Sequence, residues 1–350
     1  MPLSSVVGAQ SIVKPGVCTS STRPASPYDG QVIYMTDVDQ TAVWDGSQWT
    51  VLAPIAGGRN VIINGAMNVW QRGTSFTAAS TYTTDRFTVD NGTVTRQTGT
   101  GQFPYCLRIA NTSINPAIRQ GIELPVAGNA GLFTVGSTWT VSFYAKTSTT
   151  VTSNLSLYIA FGDTLYSGFT QILSDTSLPV PTTSWVKYSK TFTVGVSPGA
   201  SNPLMAVVIY LNNGAYAGNF DITGVQLEAG AVATPFEFED FGTTLRKCQR
   251  YFQTYVDPPL RGVADNTTRP GRMGMVLPVR MRVAPTSYSF SGSLLFWEGN
   301  TSGSYISTQS AYLSATTAEF DFNLNVGYTL GRAVVLYQGG GGTMTLSSEL

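Results

Sequence analysis

Residues 224–236 read GVQLEAGAVATPF, and residues 240–253 follow as DFGTTLRKCQRYFQ. The first stretch has the composition of the last strand of a sheet, and Pro235 stops it because proline cannot donate to a sheet ladder. The second stretch predicts a short helix. The rest of the chain is rich in strand signals. This order of a strand end, a proline and a lone helix therefore indicates a joint between two β domains.

The predicted helix at this joint has one apolar side. Leu245, Cys248 and Phe252 recur at i, i+3 and i+7, and Asp240 or Thr243 can cap the N-terminus. Two arrangements fit this stripe. It can dock on the β domain of its own chain, or the helices of several copies can pack together on a shared axis.

The composition favours many short strands. Charged residues make up 11% of the 350 residues, well below the usual quarter, and aromatic residues make up another 11%. Gly, Ser, Thr and Asn fill the difference, and they suit turns and neutral polar faces. The 20 basic and 20 acidic residues cancel. Because no basic field is available, we expect no nucleic-acid partner.

The absence of histidine excludes several classes of chemistry. Ser-His-Asp and Cys-His triads, HExxH metal sites and histidine acid–base catalysis all need that residue. Cys18, Cys106 and Cys248 are far apart and form no CxxC motif, so we expect incidental reduced thiols. The N-terminus lacks a signal-peptide pattern, and no window approaches the ~18 apolar residues of a membrane span. We therefore expect no membrane insertion.

Strand and turn signals divide the chain into five segments. We expect an extended anchoring arm over 1–22, a small β-hairpin module with its linker over 23–60, and an antiparallel jelly-roll sandwich over 61–239. The linking helix occupies 240–253, and a second, smaller β-sandwich occupies 254–350. The predicted fold class is all-β.

The opening stretch resembles a segment of tail fibres and related virion proteins of tailed bacteriophages. In that family, a jelly-roll strand of the form QLE-G--ATPFE passes into a short L--CQRYY helix. The matching positions here are Gln226, Leu227, Glu228, Gly230, Ala233, Thr234, Pro235, Phe236, Glu237, Leu245, Cys248, Gln249, Arg250 and Tyr251, with Phe252 replacing the last tyrosine.

Other stretches support the resemblance in the same order along the chain. NVIINGAMNVWQRGTSF with YTTDRF, residues 60–87, resembles the first strands of the phage domain, and residues 23–49 resemble a small β unit of phage tail proteins. PVRMRVAPT, residues 278–286, and the final SSEL resemble the end of such fibres. TVSFYAKTS, WVKYSKTFTV and FDITGVQLEAG are similar to carbohydrate-binding modules that share the jelly roll.

The resemblance implies a function in host attachment. It implies a homotrimeric tail fibre that is assembled in the host cytoplasm, resides on the virion and contacts other tail or capsid proteins through residues 1–52. Such a fibre would bind a host surface glycan by multivalent adhesion. A second interpretation is a purely architectural virion protein, such as a capsid decoration or tail adaptor, that binds only other virion proteins.

Candidate sugar contacts in the jelly roll lie near its first strands. Sugar sites in such folds combine aromatic faces with amide and carboxylate hydrogen bonds. The candidates are Trp70 and Arg72, with Gln71, Tyr82 and Asp85 beside them. A structural role is the alternative, because Trp70 is in phase with strand residues and an Asp-Arg pair can fix a turn. Trp139 and Trp185 precede core-patterned strands and are predicted to be core.

The C-terminal domain mixes aromatic residues with Ser, Asn and Gly, a combination found in adaptable binding surfaces. Loops at the tip of a rigid sandwich are also where recognition often resides. The candidate contacts are Tyr288, Phe290, Trp297, Glu298, Asn300 and Tyr305, with Phe296 and Tyr312 nearby. Part of this set must instead fill the core of the small domain.

The similarity to jelly-roll modules also implies a candidate calcium site. It would lie near the first and last strands, at Asn64 and Asp221, because calcium takes amide and carboxylate oxygens. Structural hydrogen bonding is the alternative for both residues. No other cofactor is expected.

We do not expect an enzyme. Paired carboxylates can cleave polysaccharides without histidine. The densest acidic cluster, Glu237, Glu239 and Asp240, lies where a helix dipole stabilises negative charge without chemistry. Glu319 and Asp321 are two apart on a predicted strand, which fits a solvated face equally well. The sequence also lacks the repetitive β-helix of phage depolymerases.

Overall fold

The computed structural model describes most of the chain. The described residues are 16–19, 21–36, 40–52, 58–78, 80–111, 115–211, 218–264, 272–298, 301–324, 329, 332–336 and 341–350. They form two compact units, Met1–Arg59 and Asn60–Leu350. The predicted jelly roll, helix and C-terminal strands therefore belong to a single unit. Most of the predicted N-terminal arm lies outside the described residues.

The first unit contains one four-stranded sheet, sheet 1. Its strands are β1 (Gly16–Cys18), β2 (Val32–Met35), β3 (Gln40–Trp44) and β4 (Trp49–Leu52), in that spatial order. Ile33, Met35 and Ala42 form its small core. Residues 16–18 of the predicted arm are an extended strand, and β1 pairs in parallel with β2.

Twelve strands build the first part of the second unit. They are β5 (Ser75–Ala78), β6 (Thr81–Tyr82), β7 (Thr88–Val89), β8 (Gly92–Thr98), β9 (Tyr105–Asn111), β10 (Ala117–Glu123), β11 (Thr138–Thr147), β12 (Leu155–Gly162), β13 (Thr170–Leu178), β14 (Val186–Thr193), β15 (Leu204–Leu211) and β16 (Gly218–Ala229). Sheet 2 has the order β13-β12-β15-β10-β7-β6, and sheet 3 has the order β14-β11-β16-β9-β8-β5. The two six-stranded antiparallel sheets confirm the predicted β-sandwich of jelly-roll type.

Alternating side chains place the core between these sheets. In β11, Trp139, Val141 and Phe143 all enter one core cluster, as do Leu157 and Ile159 of β12. Trp139 is buried as predicted. Trp185 is only half-buried, and Lys146 lies 5.1 Å from its ring centroid. The prediction that Trp185 is a core residue is therefore wrong.

The linking helix α1 (Phe241–Gln249) is shorter than the sequence predicted. Asp240 caps it by accepting a hydrogen bond from the Thr243 amide, 2.9 Å away. A turn at Arg250 and Tyr251 follows, so Phe252 opens the next strand instead of completing a helical stripe. No helix in the described part of the chain has the length and apolar character needed to cross a membrane.

Nine strands complete the second unit. They are β17 (Phe252–Val256), β18 (Arg261–Val263), β19 (Arg272–Val276), β20 (Ser287–Ser291), β21 (Leu295–Glu298), β22 (Thr301–Leu313), β23 (Thr317–Leu324), β24 (Ala333–Leu336) and β25 (Thr343–Ser347). β17, β25 and β20 form a three-stranded sheet, and the other six close into a barrel of order β18-β19-β23-β22-β21-β24. The long β22 pairs with both β21 and β23, which lets the sheet curl closed. A barrel thus stands where we expected two facing sheets.

Candidate functional site

Several of the phage-like motifs meet at one buried junction, which we call the clasp. It joins the first strands of the jelly roll to the end of the helix and to the last residues of the chain. Its members are Arg72, Asp85, Arg86, Tyr251, Phe252 and Glu349.

Arg86 is a deeply buried member of the clasp, with 1% of its surface exposed. Its guanidinium pairs with the Glu349 carboxylate, donates a 2.7 Å hydrogen bond to the Gly121 carbonyl and lies 3.5 Å from the centroid of the Tyr251 ring. An ion pair at this depth must be nearly fully partnered, because an uncompensated buried charge is costly. The clasp therefore fixes the C-terminal tail against the sandwich.

Arg72 occupies the second cationic position of the clasp. It pairs with Asp85 at 3.1 Å and with Glu349 at 2.9 Å, and its guanidinium lies 3.6 Å from the centroid of the Phe252 ring. Gln71 donates to the Asp85 carboxylate and to the Phe252 carbonyl. The predicted sugar-contact role of Arg72 is not what this geometry supports, because its donors and its planar face are engaged inside the chain.

Burial shapes the electrostatics of the clasp. Desolvation raises the pKa of Asp85 from 3.8 to about 6, although Arg72 and Gln71 pull it downward. Desolvation likewise raises the pKa of Tyr82 and, in α1, of Cys248. Tyr82 donates a hydrogen bond to the Leu350 carbonyl, 3.0 Å away, so this predicted candidate also fixes the tail.

Trp70 and Asn64 organise the loop before β5. Trp70 is buried, and its Nε1 donates to the Met67 carbonyl at 2.6 Å. The Asn64 Oδ1 accepts hydrogen bonds from the amides of Asn68 and Val69. Both predicted site residues therefore have structural roles, since Trp70 is buried in the core cluster and the Asn64 oxygen is already occupied.

Asp221, the second predicted calcium ligand, is held by cations. Arg108 donates to both of its carboxylate oxygens at 2.7 and 2.8 Å, and Lys146 lies 3.7 Å away. These two positive neighbours already neutralise the Asp221 carboxylate, so its negative charge is not available to a calcium ion. Within the described ranges, no group of three or more cysteine, aspartate or glutamate residues could hold a metal ion.

The predicted helical stripe packs inside its own chain. Cys248 and Phe252 are buried, and Phe252 lies under Arg72 in the clasp, while Leu245 is half-buried. Cys248 and Phe252 are thus covered without any second copy, which favours docking of the stripe on its own domain over the shared axis. Phe238 and Phe241 are the exposed aromatic residues beside the helix.

The VQLEAG-VATPFE motif forms a strap across the outer side of sheet 3. The buried Glu228 carboxylate accepts hydrogen bonds from the Thr234 amide and hydroxyl at 2.9 and 2.6 Å. Gln226 accepts from the Glu237 amide at 2.8 Å, and Glu237 in turn accepts from the Asn60 amide. The motif therefore makes the chain reverse direction after β16, and Glu237 holds the reversed segment to Asn60.

The acidic residues beside the helix are engaged in structural contacts. Glu237 belongs to the strap, Glu239 pairs with Lys247, and Asp240 is the helix cap. Glu319 and Asp321 do face the same side of β23, as predicted, and both lie within 3.8 Å of Arg272. These arrangements favour the structural interpretation of both clusters.

The C-terminal candidates divide between the core and the surface of the barrel. Phe296 is fully buried and Phe290 is half-buried against Phe320, 4.9 Å between ring centroids. Glu298 is buried, and its carboxylate accepts a 2.7 Å hydrogen bond from the Thr329 amide. A surface contact is therefore not supported for Phe290, Phe296 or Glu298.

Three C-terminal aromatic residues are exposed. They are Tyr288, Trp297 and Tyr312, with 38, 43 and 44% of their surfaces accessible. Asn300 and the side chain of Tyr305 lie outside the described part of the chain.

A second cluster of aromatic residues covers the outer side of sheet 2. We call it the tyrosine face. Its members are Arg119, Ser156, Tyr158, Tyr166 and Tyr210. Alternation in β12 and β15 places Tyr158 and Tyr210 on this side, because Leu157 and Ile209 of the same strands enter the core. Tyr158 and Tyr210 are half-buried, and neither hydroxyl has a hydrogen-bond partner among the described residues.

Arg119 lies at the centre of the tyrosine face. It is the cross-strand neighbour of Val208, which is in turn directly opposite Tyr158. Its guanidinium lies 4.8 Å from the centroid of the Tyr166 ring, and Nε donates to Asp90 at 2.8 Å. Arg119 is thus held in place, and the rings around it form a surface of aromatic faces with polar edges.

Two buried polar atoms near these rings have no partner. Ser156 is directly opposite Tyr210, and its Oγ has no hydrogen-bond partner in the part of the chain that the structure describes. The second carboxylate oxygen of Asp90, beside Arg119, is likewise unpartnered. Because both atoms are buried, the polar groups that this surface offers to a ligand are the hydroxyls of Tyr158 and Tyr210.

No clear pattern in the sequence marks the tyrosine face. Residues 155–161 read LSLYIAF and residues 204–211 read LMAVVIYL, so both sides of these strands are largely apolar. Alternation therefore does not separate an outer ring from a core ring. Only the register of β12 beside β15 brings Tyr158 and Tyr210 together.

Comparison with protein families places this face in a known kind of domain. Residues 105–212 match a family described as a carbohydrate binding domain, and all five residues of the tyrosine face lie within that segment. The match covers less than a third of the 350 residues. Comparison with curated proteins gives no match.

Solved structures of similar fold include several sugar-binding modules. One, described as "CBM4 structure and function", is 16% identical over 41% of this chain and 95% of its own length, with a TM-score of 0.32. A putative sugar binding protein from Bacteroides thetaiotaomicron is 15% identical over 49% of this chain and all of its own length, with a TM-score of 0.33. The enzymatically active domain of bacteriophage CBA120 tailspike protein 4 is 15% identical over 49% of this chain but only 22% of its own length, with a TM-score of 0.30.

Proposed function

We propose that the jelly roll is a non-catalytic saccharide-binding module whose tyrosine face contacts the sugar. The observation that carries this proposal is the coincidence of two independent features. The family match over 105–212 indicates carbohydrate binding, and the same segment supplies Arg119, Tyr158 and Tyr210 on one outer face of the sandwich.

The chemistry of the face suits a pyranose ring. The apolar side of a sugar packs on an aromatic face, while its hydroxyl groups need donors and acceptors at the ring edges. The free hydroxyls of Tyr158 and Tyr210 supply such groups. Arg119 cannot act as a mobile cation, since Asp90 holds it, and a neutral or weakly charged saccharide is therefore the expected ligand.

The wider role that we propose is adhesion of a virion to its host surface. Support comes from the phage-like motifs, which occur in the order expected for such fibres. In this role the chain would be a homotrimer and would contact other virion proteins through residues 1–52. Weak single-sugar contacts would then gain avidity of ~10²–10⁴ from several linked copies.

A glycan array tests the binding function. The full chain should bind a defined group of glycans, and a double variant, Tyr158→Ala with Tyr210→Ala, should lose that binding. Tyr28→Ala is the matched control, because Tyr28 is an exposed tyrosine in the first unit. Binding of the double variant at wild-type level would reject the tyrosine face as the site.

The same array separates the adhesion and architectural interpretations. If the chain binds no glycan and no host cell, while it still binds purified tail or capsid proteins, the architectural interpretation replaces adhesion. Sedimentation equilibrium tests the trimer, which should have about three times the 37.4 kDa mass of one chain. A monomer at micromolar concentration would contradict it.

A further inference from the structure

The outer surface of the C-terminal barrel carries one continuous row of cross-strand neighbours. In spatial order the row is Trp297, Val335, Arg261, Gly274, Glu319 and Tyr312, one residue from each of the six strands. Inward residues of the same strands, such as Phe296, Val334 and Met273, fill the barrel core. The row is therefore a surface feature that is not needed for packing.

Arg261 differs from its arginine neighbours in having no acidic partner. Arg272 lies within 3.8 Å of Glu319 and Asp321, and Arg332 lies 3.6 Å from Glu298. Arg261 is exposed, and no carboxylate lies within ion-pair distance of it in the described residues. An unpaired guanidinium keeps five donors in a planar fork that matches a carboxylate.

The surroundings of Arg261 leave room for a ligand. Two shallow grooves meet at this residue. One is lined by Trp297 and Val335, and the other by Gly274 and Glu319. Gly274 provides no side chain beside Arg261, and a Cβ at this position would lie 2.7 Å from the Glu319 Cγ. The floor between Arg261 and Trp297 is the short side chain of Val335.

Trp297 supplies an aromatic surface at the other end of the first groove. Its ring is 43% exposed although tryptophan is usually well buried. One strand separates Trp297 from Arg261, so their backbones are about 10 Å apart across the sheet. That spacing leaves room for several units of an oligosaccharide, with one unit on the ring and another unit bearing an acidic group.

We propose that this groove is a second saccharide site, selective for an acidic oligosaccharide that packs a sugar ring on Trp297 and places a carboxylate on Arg261. This site is separate from the tyrosine face, whose arginine is already paired. The chain would then recognise a neutral sugar through the jelly roll and an acidic sugar through the barrel.

The test uses the full chain and two forms of one ligand, a galacturonic acid tetrasaccharide and its methyl ester. Calorimetry should show the acid form binding about tenfold or more tightly than the ester, because charged hydrogen bonds are stronger than neutral ones. Arg261→Gln should abolish that ratio, and Trp297→Ala should weaken binding of both forms. Arg246→Gln, at an exposed arginine of the helix, is the charge-matched control.

The results separate this site from the tyrosine face. Tyr210→Ala should leave the acid-to-ester ratio unchanged, since it lies in the other domain. Equal binding of the two forms, absence of binding to the acid form, or a ratio that persists in Arg261→Gln would each overturn the proposal. Thermal unfolding of both variants should match wild type, because both side chains are exposed.

Discussion

The guanidinium of Arg86 lies 3.5 Å from the centroid of the Tyr251 ring, and 165 residues of chain separate the two. This contact joins the DRF motif of the jelly roll to the CQRYF motif after the helix. Glu349, from the final SSEL, completes the arrangement by pairing with Arg86. Three stretches that each resemble a segment of phage fibres thus meet in the clasp. The clasp joins the jelly roll to the C-terminal strands.

Replacing Glu349 tests the importance of this unit. Glu349→Gln leaves Arg86 buried without its counter-charge, and such a loss typically costs about 3–5 kcal/mol of the free energy of unfolding. Glu319→Gln is the matched control, because it removes the same charge from an exposed ion pair that is worth at most about 1 kcal/mol. Urea denaturation of the two variants measures the difference. Equal losses would show that the clasp is not a stabilising element.

The comparison of sequence and structure shows which features a pattern can predict. The sandwich and the Asp240 cap followed from alternation and capping chemistry, which are local. The role of Arg72 did not, because its partners Phe252 and Glu349 are distant in sequence. A motif of aromatic and charged residues looks the same whether it binds a ligand or another part of its own chain.

The tyrosine face was not predicted from the sequence. Tyr158 and Tyr210 lie in strands that are apolar on both sides, so alternation does not separate these two rings from core residues. The closed barrel was also unpredictable, because pairing of β18 with β24 joins strands about 70 residues apart. Register and closure are long-range properties, and a single sequence carries little information on them.

The pKa of Asp85 predicts a specific dependence of stability on pH. Its rise from 3.8 to about 6 means that, between pH 4 and 6, the folded chain keeps a proton that the unfolded chain has lost. This contribution to the free energy of unfolding is complete below pH 4 and is lost as the pH rises through 6. The shift corresponds to about 3 kcal/mol.

Asp85→Asn should remove this dependence. Denaturation of wild type and variant at several pH values gives the difference in their free energies of unfolding, which should favour wild type more at pH 4 than at pH 7. The substitution leaves the neighbours of Asp85, Arg72 and Glu349, in place. A difference that stays constant, or that grows as the pH rises, would contradict the assignment.

Gly65 should tolerate no side chain. A Cβ at this position would lie 2.0 Å from the Val225 carbonyl oxygen, and the Gly65 carbonyl accepts a hydrogen bond from the Val225 amide. We expect Gly65→Ala to cost about 3 kcal/mol or more, because backbone must move. Gly195→Ala meets nothing within 4 Å and should change stability by about 1 kcal/mol or less. Similar thermal stability of the two variants would show that the close contact between Gly65 and Val225 does not limit the side chain at residue 65.

Calorimetric titration of Tyr210→Ala with the best glycan from the array measures whether the tyrosine face binds a saccharide. The variant should bind about tenfold more weakly, since it loses an aromatic face and a hydrogen-bonding hydroxyl, while Tyr28→Ala should bind like wild type. Unchanged affinity in Tyr210→Ala and in Tyr158→Ala, with both variants folded, would show that the saccharide binds elsewhere.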